Sequence, residues 1–500
     1  MVMRKALAFI LVVFLAVSSA AAKVTPILSV QPRFTYSTFP LLATTAGQVK
    51  GNEVSGWHER YQDLYRRYYD QTGLLDVGLK IEDEHFGLVF DLDFRRAFDS
   101  YLEKKSLSNI PFVGNTLDAI LDLNFPRVGF AEVKFNKLYA SLGRRQVKWG
   151  PADYDMAINN SAPYIDNAWL DYTTPAGSGE LWFSFMAASF NSAVLNDSPG
   201  SGLKNLFAHR LGWANSFFRI SFGELNLVYD EMPNLLDLTP LGIWHNLYQD
   251  KKSNVMLSLA AEGLITTESL GDLRLYGTFA MDDFDLPHEI ASPNGKPAAM
   301  GFNAGFQYHA LDSKPQSRSV FDFNDYTLSE KSFRFDNGLN FTYEFYFVTP
   351  YMYNRSTDNG KFTIPMRTFT FGHGYVDDSN AFFLGFPYGP NSMLHRLNVE
   401  YCEESWTACL TAEFLQRGSY GIDSLYGLVD QPDYMDFRFK LRGEITNVLL
   451  LTAGGSWYWK PGFCLDGSFS GTFDLTHDKS ALSATIGVSI NVPEFSKALK

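Results

Sequence analysis

Between residues 148 and 166 stand Trp149, Tyr154 and Tyr164, interleaved with Asp153, Asp155, Asn159 and Asn160. A second group follows residue 349: Tyr351, Tyr353, Asn354, Arg355, His373, Tyr375 and Tyr388. Flat aromatic rings beside amide, carboxylate and guanidinium forks can grip a molecule that presents hydroxyls and shallow apolar faces, which is what a sugar presents. A plainer reading assigns the rings to an aromatic girdle at a membrane edge and the Asn and Asp to turns.

Other chemistry is thinner. Gly467-Ser468-Phe469-Ser470-Gly471 lacks the central serine of a nucleophile elbow. The nine histidines show no His-x-x-x-His pair, so a metal or a Ser-His site would have to be assembled from distant segments around His209 or His373. No catalytic residue, metal or cofactor is therefore expected. Arg438, Lys440 and Arg442 share one face of an expected strand, with Glu413 on a neighbour; they read as a basic track for an anionic polymer or as salt bridges narrowing a pore. Cys402 and Cys409 are placed too far out of register to bridge easily, and Cys464 makes the total odd.

The elements that must position these residues show a period of two. Leu75, Val77, Leu79 and Ile81 alternate with Asp76, Gly78, Lys80 and Glu82, and the pattern recurs to the Leu482–Val492 run. About nineteen such segments of roughly eight to fourteen residues suit tilted strands crossing a bilayer. Arg4 and Lys5 precede the apolar run Ala6–Val17 and Ala20-x-Ala22, the pattern of a secretory signal over residues 1–22. Aromatics at 16%, charged residues at only 19% and a net charge of −13 argue against disorder and against a nucleic-acid partner. A soluble sandwich also alternates, but this many long strands with bulky apolar residues on one face would leave too much of that face uncovered.

The expected fold is an all-β, transmembrane antiparallel β-barrel of about eighteen strands in the cell outer membrane, with short N-terminal helices at 57–69 and 99–105. Its organisation is read as a signal segment 1–22, an N-terminal segment 23–73 carrying a periplasmic helix, a barrel over 74–492 and a tail over 493–500. An even strand number requires one of the nineteen to be surplus. The weakest is Leu28–Tyr36, interrupted by Pro32; dropping it puts the long loops on the side where tight turns belong, so a second misreading between 311 and 335 is in view.

Gly143-Arg144-Arg145-Gln146-Val147-Lys148-Trp149-Gly150-Pro151, followed by Asn159-Asn160-Ser161-Ala162-Pro163, resembles the strand-loop signature of the Wzi-like capsule assembly proteins. His209-Arg210-Leu211, Ser221-Phe222-Gly223-Glu224, Tyr276-Gly277-Thr278-Phe279 with Asp282-Asp283-Phe284, and Leu384-Gly385-Phe386-Pro387-Tyr388-Gly389-Pro390 continue it in order. The resemblance implies an eighteen-stranded outer-membrane lectin for surface polysaccharide. The chain departs from the family pattern at Arg145, where Gln is frequent, and at Lys148, where a second aromatic is frequent; both add positive charge to the loop.

The residues expected to hold a glycan are Arg144, Arg145, Trp149, Asp153, Tyr154, Asn159, Asn160, His373 and Tyr388. The partners expected are surface polysaccharide and outer-membrane lipid, with the barrel a monomer that helps assemble or retain a capsule or exopolysaccharide layer. Two other functions fit the same strands: a diffusion porin with a charged lumen, and an outer-membrane hydrolase.

Overall fold

The structure is a computed structural model that describes residues 22–38, 71–96, 108–110, 127–161, 164–190, 202–246, 252–267, 271–283, 299–310, 316–317, 326–329, 332–335, 337–370, 374–422 and 440–498. The signal segment up to residue 21, the helices expected at 57–69 and 99–105, His373 and Arg438 fall outside them.

Alternation decides the architecture. A strand with apolar residues on one face and polar residues on the other can satisfy lipid and lumen at once, provided the sheet closes and leaves no backbone group unpaired in hydrocarbon. Among the described residues eighteen strands do this. The first six are β1 (Lys23–Val30 continuing as Arg33–Ser37), β2 (Leu75–Glu82), β3 (Phe86–Phe94), β4 (Val128–Phe135), β5 (Leu138–Arg145) and β6 (Ile165–Ala176). Next come β7 (Gly179–Ser189), β8 (Lys204–Ala214), β9 (Phe218–Tyr229), β10 (Ser253–Thr267), β11 (Gly271–Asp283) and β12 (Ala299–His309). The circle is completed by β13 (Gly338–Val348), β14 (Ser392–Cys402), β15 (Trp406–Gly418), β16 (Ile445–Lys460), β17 (Phe463–Asp474) and β18 (Lys479–Asn491). Each pairs antiparallel with its neighbours in the sequence order of the barrel, and no helix among the described residues is long and apolar enough to cross a membrane.

Closure comes from the segment the sequence made weakest. Lys23–Val30 pairs with β2 along its whole length, while Val30 and Arg33–Ser37 pair with β18. Proline cannot donate to a ladder, so the strand breaks at Pro32, but the Pro32 carbonyl still accepts the Val488 N–H. Beyond the break, the edge facing away from β18 is covered by side chains: Asn109 Oδ1 accepts the Arg33 N–H and Ser108 Oγ accepts the Thr35 N–H, both at 2.7 Å. The segment 23–73, expected to precede the barrel, thus contains its closing strand, and the barrel begins at Lys23 and not at residue 74. Between 311 and 335 the described residues form only two-residue ladders and no strand of the wall.

With the closing strand kept, the tight connections at 83–85, 136–137, 177–178, 215–217, 403–405 and 461–462 all lie on the rim that carries Lys23 and the C-terminal helix α1 (Val492–Ala498). Short turns mark the periplasmic rim of such barrels. The segment expected as a tail is mostly this helix. Lys440 and Arg442 lie in the connection before β16 and not on a strand, so no basic ladder is built from them.

The lumen is charged and paired. Glu132 meets Arg145, Glu262 meets Arg274 at 2.5 Å, and Arg127 meets Asp93. Cys402, Cys409 and Cys464 form no disulfide among the described residues.

Candidate functional site

The connection after β5 turns into the barrel. Gly150 takes φ +69°, which a side chain would strain, and sends Pro151 across the lumen, where its carbonyl accepts Arg274 Nη2 at 2.6 Å. Asp155 then closes a turn, its Oδ1 accepting the Ala157 and Ile158 N–H groups at 2.7 and 3.1 Å. The Trp149 N–H reaches the Ile158 carbonyl at 3.0 Å, so 149–158 forms a compact loop with Trp149, Met156 and Ile158 fully buried.

Two other segments lock it. The Tyr353 hydroxyl donates to the Met156 carbonyl at 2.7 Å and accepts the Phe386 N–H at 2.9 Å, while the Asn159 N–H donates to the Leu384 carbonyl. Gly385 permits this approach, because a Cβ there would sit 2.2 Å from the Met156 carbonyl oxygen. The 149–161 loop, the 349–364 connection and 382–391 together form an apolar plug, in which Phe386 and Tyr388 pack in one cluster with Tyr346 of β13.

Between this plug and the wall lies a cavity of about 420 Å³. Asp153, Tyr154, Asn159, Asn160 and Tyr388 line the plug side; Glu413 of β15, Thr452 of β16 and Ser470 and Thr472 of β17 line the wall. Glu413 accepts the Tyr154 hydroxyl at 3.1 Å and the Tyr388 hydroxyl at 2.9 Å. Arg396 of β14 sits behind the lining, bonded to Asp153 and lying 3.3 Å from Glu344 and 3.4 Å from Glu413. Glu344 in turn accepts the Asp153 N–H and the Tyr276 and Tyr346 hydroxyls. Burial alone would raise the Asp153 carboxyl; Arg396, Lys148 and Arg274 outweigh it and hold Asp153 below the ordinary carboxylate value. Asp155 is pushed up by burial despite Arg210, and burial pulls the Lys148 ammonium down despite Asp153. The lining offers carboxylate acceptors, amides and hydroxyls, and among the described residues it includes no Lys or Arg.

The sequence-expected residues divide accordingly. Asp153, Tyr154, Asn159, Asn160 and Tyr388 meet in one cavity. Arg144 and Arg145 do not: consecutive strand residues point to opposite faces. Arg144 lies outside, forked onto Asp166 at 2.7 and 2.8 Å, whereas Arg145 lies inside, on Tyr139, Glu132 and the Phe130 ring. Trp149 is no plate for a ligand, since it is fully buried beneath Arg210. Glu344 and Arg396 escaped the sequence reading; their only signal was inward parity on β13 and β14, shared with many other strand residues.

Trp149→Ala should therefore act through the plug. Losing a buried Trp costs about 3–5 kcal/mol, enough to undock the 149–161 loop, and proteolysis of the folded barrel within that loop is the readout. Resistance equal to that of the unchanged protein would refute the packing role.

No family model matches this sequence, and no curated protein does. Among solved structures the chain is similar to Wzi of Escherichia coli, described as an outer-membrane protein involved in group 1 capsule assembly and a carbohydrate-binding β-barrel. That similarity is 11% identity and a TM-score of 0.54, over 93% of this chain and 84% of that one. OccD3 (OpdP) of Pseudomonas aeruginosa overlays at 9% identity and a TM-score of 0.42, over 95% and 92%. With the closed sheet and its apolar exterior, the likeness to Wzi makes the chain a transmembrane β-barrel of the outer-membrane kind.

Proposed function

We propose that this barrel binds surface polysaccharide in the cavity between plug and wall, as a Wzi-like protein would, and so helps assemble or retain a capsule or exopolysaccharide layer. The observation that carries the reading is the convergence of Asp153, Tyr154, Asn159, Asn160 and Tyr388 with Glu413 and wall hydroxyls around about 420 Å³. That volume lies in the range of small-ligand sites. Wzi, of the same fold, is described as carbohydrate binding. The cavity lies at about mid-height of the wall, with Glu413 and Thr452 near the middle of β15 and β16 and Thr472 nearer the rim opposite the tight turns. Its lining carboxylates favour neutral or amine-bearing sugars over uronates, because an unpaired carboxylate brought beside Asp153 and Glu413 meets like charge.

The test is binding of the purified barrel to oligosaccharides from the surface polymer of its own cell. Asn160→Ala should weaken binding by about fivefold, the loss of roughly 1 kcal/mol for one net hydrogen bond. Tyr154→Ala should weaken it further by also removing the Glu413 partner, while Arg144→Ala, outside the barrel, should change nothing. Equal binding by all four proteins would remove the cavity from consideration.

A further inference from the structure

We infer that residues 231–246, in the connection after β9, do not stand in water but lie along the outside of the barrel and contact the acyl chains of the outer leaflet. The argument begins on the wall. On β8 to β10 the lipid-facing residues Leu211, Phe222 and Leu259 are well exposed, as an apolar belt requires. One step along the same faces the belt fails: His209 and Glu224 stand side by side in register, followed by Asn226. His209 is the central residue of β8, so this polar patch sits at mid-wall, where charged and polar groups facing lipid are unfavourable.

The 231–246 segment covers it. The Glu224 carboxylate accepts the Trp244 and His245 N–H groups at 2.8 and 2.7 Å, and Asn226 Nδ2 reaches Asp237 at 3.5 Å. The Trp244 ring lies 4.4 Å from the His209 ring and packs on Phe207 and Val228. The segment thus seals a polar patch that the strands left facing outward.

What it presents in exchange is mostly apolar, with Asn234, Thr239 and His245 the exposed polar residues and Glu231 half-buried at its start. Leu235 is 85% exposed and Leu241 77%, with Met232 and Ile243 also largely exposed, while its one aspartate, Asp237, is fully buried. Part of its backbone is satisfied locally, as a lipid-facing stretch needs: Asp237, Thr239 and Gly242 donate to turn carbonyls, Asn234 and Leu236 donate to side chains, and Pro233 and Pro240 have no N–H, while the N–H groups of Met232, Leu235, Leu238, Leu241 and Ile243 make no hydrogen bond among the described residues. Trp244 of the segment packs on His209, the next outward-facing residue of β8 from the belt residue Leu211, and what covers that belt is lipid.

The test uses the full chain in lipid nanodiscs, with Cys402, Cys409 and Cys464 replaced by Ser and a nitroxide label on Leu235→Cys or Leu241→Cys. Oxygen partitions into the acyl region and a nickel chelate stays in water. Both labels should give the oxygen-to-nickel ratio of a Leu211→Cys control and not that of Glu404→Cys in an exposed turn. A ratio matching Glu404 overturns the proposal. So does shielding from both agents with spin–spin broadening, which would mean that a second copy of the chain covers the segment. As a measurement on the unaltered protein, a phospholipid with a photoreactive acyl chain should label peptides from 231–246 as it labels those carrying Leu211. Labelling of Leu211 alone also overturns it.

Discussion

Removing residues 23–37 should leave no folded barrel in the membrane. Without them β2 and β18 become free edges, and every N–H and C=O that Lys23–Val30 and Arg33–Ser37 now satisfy is turned toward hydrocarbon. Each such group costs several kcal/mol, so even a few exceed a typical net stability of about 5–15 kcal/mol. The loss extends inward, because Arg33 is bonded to Asp466 of β17 and Gln31 to Asp76 of β2. The expected result is loss of the fast-migrating, heat-modifiable form on gels and rapid proteolysis. A deleted chain that still migrates as a folded barrel would mean that β2 and β18 pair directly, with a seventeen-stranded wall.

That strand also shows where the sequence could be read and where it could not. Strands such as β2, β3 and β15 were legible because their alternation is long enough to stand without knowledge of their neighbours. Lys23–Ser37 was not: Pro32 interrupts its period, and only the two partners it joins, from opposite ends of the barrel, give it a place. Arg144 and Arg145 carry the opposite lesson. A period of two already separates neighbouring side chains to the two faces, so one binding site could never have held both. Trp149 was recognisable as an aromatic in a loop, but its burial depends on Tyr353 and Leu384, more than two hundred residues away, and no local pattern reports whether a loop stands out or folds in. The cavity was half legible for the same reason. Its plug side comes from one continuous stretch plus Tyr388, whereas Glu413, Thr452 and Ser470 become its wall only after closure brings β15 to β17 opposite the plug. Residues 231–246 show their place only against Glu224 and His209, which face outward beneath them.

The charge at the centre of the plug gives the second large effect. Arg396→Met should release the 149–161 loop, open the lumen to ions and abolish ligand binding, while the strands stay closed. Arg396 is the cation that Asp153, Glu344 and Glu413 share, and it lies against the Tyr154 ring at 5.9 Å. Removing one member of a buried ion pair costs about 3–5 kcal/mol, and this falls on Glu344 and Glu413, which are buried against Arg396, more than on Asp153, which is half exposed and keeps Lys148 and Arg274 nearby. Three carboxylates around a methionine can relieve the strain only by taking up protons or by moving apart, and Asp153 is the one carried on a loop. Asp153→Asn should cost less, since Arg396 keeps Glu344 and Glu413. The pH dependence follows from the depressed Asp153 value. The stabilisation from its pairing is fully present above the unfolded value of about 3.9 and is lost as pH falls through the lower folded value, so the loop stays docked in mildly acidic surroundings and loosens only in strong acid. In planar bilayers at neutral pH the unaltered protein should conduct poorly and Arg396→Met should conduct well, with new cleavage between 149 and 161. High conductance in the unaltered protein would favour a diffusion porin over a plugged binding barrel, and no change on substitution would show that the plug is held by its apolar contacts and not by this charge cluster.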